Sequence, residues 1–195
     1  MEEGAKVFAV DNSESALIET IERVNTLDGT METFIGDATK SQSVADMIKA
    51  CVNKFGRLDI LVNNVGGSKK GGPVELSEED WDSQVDYNLK SVFLSCKHAL
   101  PELEKGGGGA IVNIASTSGT RWTGSAQVAY AATKAGVIQL SKVVAMEYAA
   151  KKIRVNAIAP GQLHTPMVEA RVAGQRTGGD VEALLKQRLA RIPLG

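Results

Sequence analysis

The sequence predicts an α/β fold in which a doubly wound, mostly parallel sheet is covered by helices on both faces. Short apolar runs alternate along the 195 residues with longer stretches of helical period, which is the pattern of strands joined by helical crossovers. The apolar runs are continuous rather than alternating, as expected of strands that are buried on both faces. No linker, repeat or low-complexity segment divides the chain, so we predict one domain over residues 1–195.

Five apolar runs are predicted to be strands, and they cover residues 6–10, 31–35, 58–62, 110–115 and 153–159. Between them, helical periodicity begins at Ser13 and predicts further helices over about 43–55, 77–104 and 125–150. In the helix over 43–55, Ser43 can cap the start and Gly56 ends the helix. Strands and helices therefore alternate over residues 6–159, and short helices and loop are predicted for the rest of the sequence.

Polar residues and glycines lie just beyond the carboxyl ends of these predicted strands. They are Asp11, Asp37, residues 63–66, Ser116 and the pair Pro160 and Gly161. Open parallel sheets bind their ligands beyond this same edge. The sequence therefore predicts one binding site to which all of these positions contribute.

Tyr130 and Lys134 are four residues apart in the helix predicted over 125–150, so they share one face of that helix. An ammonium beside a phenol lowers the phenol's pKa from its free value of about 10. Such a pair can exchange a proton with a substrate oxygen near neutral pH. The alternative is a chance occurrence, because Tyr and Lys at this spacing are found on many helices.

The composition gives no reason to expect a charged macromolecule as a partner. The chain is 43% hydrophobic and 23% charged, and its net charge is −1, which does not favour nucleic acid or an anionic membrane. Cys51 and Cys96 lack metal-ligand spacing and are typical of reduced, buried helix residues. No apolar run is long enough for a membrane span, and the N-terminus has no signal-peptide pattern. We expect a cytoplasmic protein without a metal site.

Six motifs occur in a fixed order along nearly the whole chain. They are Asp37, Asn-Asn-Val-Gly at 63–66, Asn88 in Tyr-Asn-Leu-Lys, Ile-Val-Asn-Ile-Ala-Ser ending at Ser116, the Tyr130/Lys134 pair, and Pro160-Gly161 followed by Thr165. Each motif is weak alone, but together they resemble the short-chain dehydrogenase/reductase family. The resemblance implies a Rossmann-like fold and an oxidoreductase that transfers a hydride between NAD(H) and a small alcohol or ketone.

The resemblance implies a catalytic role for four residues. Tyr130 would be the general acid/base, and Lys134 would lower the pKa of its phenol and hold the nicotinamide ribose. Ser116 would hydrogen-bond the substrate oxygen, although the hydroxyls at 117 and 118 compete for that role, and Ser116 could instead cap a turn. Asn88 would fix a water in a proton relay. The alternative for Asn88 is a helix-kink residue that bonds a backbone carbonyl.

The resemblance also implies a set of cofactor contacts. Asp11 would accept the adenosine ribose hydroxyls, and because its carboxylate repels a 2′-phosphate it favours NAD over NADP. The alternative is that Asp11 caps the helix that follows, and the two roles are compatible. Asp37 and Ala38 would meet the adenine ring. The other cofactor-binding residues would be Asn63, Asn64, Gly66, Tyr130, Lys134, Pro160, Gly161, Leu163 and Thr165.

The substrate pocket is expected to involve the segments around the predicted site. Residues 67–72, Trp122, Gln127 and residues 162–176 are the candidate lining, and none of them dictates one alcohol or ketone. His98 and His164 are interpreted as surface residues, and His164 lies in the same 162–176 segment.

One part of the family pattern has no counterpart in this sequence. The family begins with a strand and a Thr-Gly-x-x-x-Gly-x-Gly turn, and this pattern occurs nowhere in the 195 residues. We therefore expect an internal piece of a family member that lacks the central strand and stops before the last helix and strand. The strands at 6–10 and 58–62 would then have unpaired inner edges.

Two classes of function follow from these expectations. The first is an NAD-dependent dehydrogenase or ketoreductase with the residues named above. The alternative is a non-catalytic fragment that associates through its long helices without binding cofactor. In the resembling family those helices build homodimers and homotetramers, so we expect a homo-oligomer in either case.

Overall fold

A computed structural model of the protein describes residues 1, 3–24, 29–163, 186, 189 and 190. The chain divides into two compact units, Met1–Ala159 and Pro160–Gly195. Every helix and strand named below lies in the first unit. The single domain over residues 1–195 stays a prediction.

The strands pair in parallel throughout the described part of the chain, as the sequence predicts. They form two sheets, one with the order β1–β2 and one with the order β3–β4–β5. Each predicted run overlaps one strand, and this confirms the α/β class. The strands are β1 Val7–Asp11, β2 Met31–Ile35, β3 Ile60–Asn63, β4 Gly109–Ile114 and β5 Ile153–Ile158.

Helices fill the connections between the strands. The long helix predicted over 77–104 is present, but a π-helical turn at Asp86–Lys90 divides it into two α-helical parts. No helix in the described residues is long and apolar enough to cross a lipid bilayer. The α-helices are α1 Glu14–Val24, α2 Ser41–Phe55, α3 Glu78–Val85, α4 Ser91–Lys105 and α5 Val128–Glu147.

Local hydrogen bonds explain where two of these helices begin and end. Ser77 caps α3 by accepting the backbone N–H of Asp80, and Gly56 ends α2 in the left-handed conformation at a φ of 82°. The prediction that Ser43 caps α2 is wrong, because α2 begins two residues earlier, at Ser41. The Ser43 hydroxyl instead accepts the backbone N–H of Asp37 at 2.8 Å. It thereby ties the turn after β2 to α2.

The apolar core lies between the sheets and the helices α2, α4 and α5. Val44 of α2, Leu103 of α4, Ile111 of β4 and Val137 of α5 are fully buried. Burying one side chain of this size contributes roughly 1.5–3 kcal/mol to folding, so the shared core is a major source of stability.

The helices α2 and α4 pack against each other inside this core. Cys51 and Cys96, one on each helix, are free and buried, as the sequence predicts, and burial raises the pKa of the Cys96 thiol to about 11. At the edge of the contact, the Ser41 hydroxyl and His98 Nε2 are 3.0 Å apart.

Phe8 of β1 meets Phe55 of α2 edge to face, with ring centroids 6.2 Å apart. This ring contact helps to join the β1–β2 sheet to the rest of the core.

A chain of buried amides and a hydroxyl crosses from β3 through β4 to α5. Asn63 donates to Asn113 Oδ1 at 2.8 Å, and Asn113 donates to the Ser141 hydroxyl at 2.8 Å. Ser141 in turn donates to the Val137 carbonyl at 2.7 Å. Asn113 is fully buried, so its amide would be costly to leave unpaired. These bonds therefore fix α5 relative to β4 and to the carboxyl end of β3.

The inner edges of the two sheets are unpaired in the described residues, as predicted. Among the strands that the structure describes, β1 pairs only with β2, and β3 pairs only with β4. Ile60 and Val62 of β3 are also 58% and 57% exposed, so one face of this strand is open to solvent. Exposed apolar strands with a free edge are templates for pairing with other chains. We therefore expect β3 to promote aggregation.

The expectation for β3 can be tested with Val62→Lys. A charge on the open face should suppress edge-to-edge association while the free energy of unfolding changes by less than about 0.5 kcal/mol, because the side chain is already exposed. Light scattering during storage and denaturant unfolding measure the two effects. Val74→Lys, at an exposed position outside the sheets, is the matched control. Equal scattering from the two variants would contradict the assignment.

Candidate active site

The predicted site is built around the side chain of Lys134, which is only 3% exposed. Its ammonium donates to the Ile114 carbonyl at the end of β4, with a distance of 2.6 Å. The same nitrogen lies 5.7 Å from the centroid of the Tyr130 ring, one turn earlier on α5. The structure therefore brings Tyr130 and Lys134 together on one face of the helix, as their spacing predicts.

The turn after β4 presses closely against α5 at this point. A Cβ added at Gly119 would lie 2.6 Å from the backbone nitrogen of Ala135 and from the carbonyl carbon of Lys134. Only glycine allows this approach. The close contact holds the turn that begins at Ser116 next to the helix that carries Tyr130.

Gly66 forms the opposite side of the same small region. A Cβ added there would lie 3.0 Å from both the Asn88 Oδ1 atom and the Lys134 ammonium nitrogen. The loop after β3, the π-helical turn and α5 therefore meet at this glycine. Because glycine has no side chain, the loop backbone can lie close to both of these groups.

Asn88 lies in the π-helical turn and is fully buried. Its amide exchanges two hydrogen bonds with the backbone of Gly67, receiving one at 3.0 Å and donating one at 2.9 Å. It also donates to the Gln84 carbonyl at 3.1 Å. The helix-kink alternative is thus observed, and the contact with Gly67 additionally fixes the loop beside Lys134. π-Helical turns are frequently found at functional sites.

Ser116 is nearly buried and caps the short 3₁₀ helix that follows it, as one of its alternatives anticipates. Its hydroxyl oxygen accepts the backbone N–H of Ser118 at 3.1 Å. This bond uses a lone pair and leaves the hydroxyl proton available to a substrate oxygen. The competing Ser118 hydroxyl is paired with Thr123 at 3.2 Å.

Burial controls the protonation of Lys134. The side chain is largely removed from water, which lowers the pKa of its ammonium from 10.5 to about 8. At pH 7 the group is still mostly charged, so it can act as a cation beside Tyr130 and Gly66. Its charge is then lost over a pH range that is accessible to experiment.

A second group of residues lies beyond β1 and β2, the strands of the other sheet. Asp11 Oδ1 accepts the N–H of Ser13 at 2.9 Å, and the Ser13 hydroxyl accepts the N–H of Ala16 at the start of α1. Asp37 Oδ1 accepts both the N–H and the hydroxyl of Thr39, and these bonds hold the pKa of the Asp37 carboxyl below its usual value. Both carboxylates are thus oriented at the carboxyl ends of adjacent strands.

Comparison with known proteins decides the family. A family model described as short chain dehydrogenase matches residues 1–176. The chain is 37% identical over 194 residues to the 3-oxoacyl-[acyl-carrier-protein] reductase FabG of Thermotoga maritima. This chain belongs to the short-chain dehydrogenase/reductase family. The alignment covers 100% of this chain and 75% of the Thermotoga protein.

Solved structures of short-chain dehydrogenases agree with the fold. A structure from Burkholderia xenovorans assigned to the family is 55% identical and has a TM-score of 0.93, covering 98% of this chain and 72% of that one. Carveol dehydrogenase from Mycobacterium avium in complex with NAD is 30% identical, with a TM-score of 0.82, and covers 88% of this chain and 68% of that one. ElxO with NADP bound is 31% identical, with a TM-score of 0.79, and the match covers 85% of this chain and 66% of ElxO. This chain therefore has a partial fold of the family, and two of the similar structures contain NADP or NAD.

The structure places the remaining predicted site residues of this short-chain dehydrogenase in different surroundings. Asn63 is buried and bonded to Asn113, whereas Asn64 is exposed in the following loop. Ala38 follows Asp37 in the turn after β2. The positions Pro160, Gly161 and Leu163 lie in the second compact unit. Thr165, His164 and most of the predicted 162–176 lining fall outside the described residues.

A cavity of about 420 Å³ lies beside the predicted site. Gly72, Trp122 and Gln127, which the sequence analysis proposed as pocket lining, are among its walls. Arg121 also lines the cavity, and the sequence analysis missed it. Its position directly before Trp122 was the available signal, since a cation beside a candidate pocket aromatic is a possible ligand contact.

The burial of Lys134 gives a pH-dependent prediction. Between pH 8 and 10.5 the unfolded chain keeps the proton that the folded chain has lost, so the free energy of unfolding rises with pH in this window. Lys134→Met should remove this rise, which amounts to a change on the order of 3 kcal/mol. Denaturant unfolding at several pH values measures the effect.

Lys142→Met is the control for this measurement, because Lys142 is an exposed lysine on the same helix. Its stability curve should stay parallel to that of the parent protein over the same pH range. A Lys134→Met curve that is also parallel to the parent would contradict the depressed pKa.

Proposed function

We propose that this protein is an NAD-dependent oxidoreductase that interconverts a small alcohol and the corresponding ketone, with Tyr130 as the general acid/base. The observation that carries the proposal is the Lys134 ammonium, which is buried, bonded to the Ile114 carbonyl and close to both the Tyr130 ring and Gly66. A fixed cation next to a phenol favours the proton transfer that carbonyl reduction requires.

The side chains of this protein carry out the proton transfer. A nicotinamide dinucleotide, when bound, supplies or accepts the hydride. In the reductive direction the carbonyl oxygen gains negative charge, and the Tyr130 phenol gives it a proton while the Ser116 hydroxyl donates a hydrogen bond. Lys134 stabilises the resulting phenolate by its charge. In the oxidative direction the phenolate takes the proton from the alcohol.

Asn88 and Gly66 give this arrangement its support. Asn88 fixes the loop at Gly67 beside the Lys134 ammonium, and we assign it the further role of holding a water that relays protons from solvent. The absence of a side chain at Gly66 lets the backbone of the same loop lie close to the Lys134 ammonium. These features fit a nicotinamide nucleotide at the carboxyl ends of β3 and β4.

The adenosine half of the cofactor is assigned to the β1–β2 sheet. Asp11 would accept the ribose hydroxyls, and Asp37 and Ala38 would meet the adenine ring. The ordered carboxylates at these strand ends support the assignment. The other residues in the proposed cofactor site are Asn63, Asn64, Gly66, Tyr130, Lys134, Pro160, Gly161, Leu163 and Thr165.

We also propose that the protein is a cytoplasmic homodimer or homotetramer that associates through its long helices. Apolar side chains exposed on α4 and α5 support this interface, namely Phe93, Val143 and Met146.

The proposed function is tested by Tyr130→Phe. Only the phenolic oxygen carries the proton, so turnover of a ketone with NADH should fall by a factor on the order of a hundred or more. NADH affinity should change little, because the ring is retained. NADH oxidation followed by absorbance measures turnover, and fluorescence titration measures binding.

Tyr148→Phe, at the end of the same helix, is the control and should keep the activity of the parent. Tyr130→Phe turnover within about tenfold of the parent would refute the role of the phenol. A parent protein that oxidises no NADH with any ketone would refute the proposed activity itself.

Cofactor preference should depend on Asp11. Replacing it with Ser removes the carboxylate that repels a 2′-phosphate. The ratio of kcat/KM with NAD to kcat/KM with NADP should therefore fall. Asp82→Ser removes an exposed carboxylate on α3 and should leave the ratio unchanged. Comparing kcat/KM for the two cofactors decides the matter. A parent protein that already prefers NADP would show that the assignment of Asp11 is wrong.

A further inference from the structure

The cavity of about 420 Å³ has walls that are fixed by hydrogen bonds. Gly71 donates to the Ala126 carbonyl at 3.0 Å and accepts the N–H of Val128 at 3.2 Å, which joins the loop after β3 to the start of α5. Across the cavity, Ser118 and Thr123 are bonded through their hydroxyls at 3.2 Å. The cavity is therefore formed before any ligand binds, and its volume suits a small organic molecule.

Trp122 gives this cavity a large apolar surface. Its side chain is 73% exposed although it lines the cavity wall. Pro73, Val128 and Ala131 add further apolar surface. An exposed indole facing apolar neighbours gains most from a ligand that covers it, because removing such surface from water is favourable. The cavity therefore favours a flat apolar body.

Arg121 is the single charged residue among the described residues of the lining. Its backbone N–H donates to the Thr117 carbonyl at 3.1 Å, which anchors it to the turn that begins at Ser116. No carboxylate of the described residues pairs with its guanidinium. The neighbouring acid, Glu75, instead accepts the N–H of Gly72 at 3.0 Å and does not line the cavity. An unpaired guanidinium at a cavity wall can bind a carboxylate or phosphate with two parallel hydrogen bonds.

We propose that the cavity selects an anionic ketone or alcohol with a flat apolar body, in which Trp122 packs on the body and Arg121 pairs with the anionic group. The cavity wall includes Ala131, which follows Tyr130, and Ser118, which lies two residues after Ser116. The carbonyl of the ligand is therefore placed near these two residues, and this part of the proposal rests on the proposed function. The selection of charge and shape rests on the cavity alone. It can therefore be tested by binding as well as by turnover.

Two aryl ketones of nearly equal size separate the effect of charge from the effect of shape. We choose 4-acetylbenzoate, which is an anion, and 4-acetylbenzamide, which is neutral. The chain has two tryptophans, so Trp81→Phe leaves Trp122 as the single reporter of fluorescence quenching. We expect quenching to saturate with both ligands, at a concentration at least tenfold lower for the benzoate.

Arg121→Gln in the same background should remove the preference for the benzoate and leave the benzamide affinity within about twofold of the parent. Arg154→Gln is the matched control, because it removes the same charge from an exposed position on β5. It should keep the tenfold preference. A loss of preference in both variants would assign it to overall charge and overturn the proposal.

Other results also have a defined meaning. Equal half-saturation concentrations for the two ketones, or no quenching of Trp122 by either, would overturn the proposed selectivity. The expected preference in binding without NADH oxidation would support the selectivity and refute the proposed activity. Reduction of the benzamide at least as efficiently as the benzoate would support the activity and overturn the selectivity.

Discussion

A buried ammonium needs hydrogen-bond acceptors to replace the water it has lost, and the arrangement of the site depends on the acceptor that Lys134 uses. Its bond to the Ile114 carbonyl ties α5 to the end of β4. The bond from Asn113 to Ser141, two helical turns further along α5, ties the same helix to the same strand a second time. Two fixed points on one strand define both the position and the rotation of a helix. Tyr130 is thereby oriented by bonds that it does not make itself.

The sequence was informative wherever a feature depends on local spacing. The Tyr130 and Lys134 pair shares a helix face because residues four apart always do. The strands were recognisable as continuous apolar runs. The expectation that both faces of every strand are buried was wrong for β3 and β5, in which exposed residues alternate with less exposed ones. Ser43 was misassigned because a cap depends on where the first turn begins, and the sequence around 40–43 offers more than one start. Such a choice is decided by contacts with Asp37 that the local pattern does not contain.

Features that arise from contacts between distant segments could not be predicted in the same way. The π-helical turn around Asn88 occurs where its amide reaches the backbone of Gly67, twenty-one positions away in sequence. The role of Arg121 in a cavity wall depends on the bridge between Gly71 and Gln127, which closes the opposite side. Helix propensity and hydrophobic periodicity could predict neither feature, because each arises from contacts between residues that are distant in the sequence.

The separation of the sheet into two parts has a consequence for the linkage between ligand binding and folding. Asp11 and Asp37 lie at the carboxyl end of one sheet, and Ser116 and Lys134 are attached to the other. The described residues show no backbone hydrogen bonds across the gap, so the two sheets are held in place by side chains such as Phe8 and Phe55. A dinucleotide that contacts both groups would act as a cross-link between two halves that otherwise share only a core. Its binding free energy would then appear as cooperativity of unfolding, since a ligand that needs both halves stabilises them as one unit.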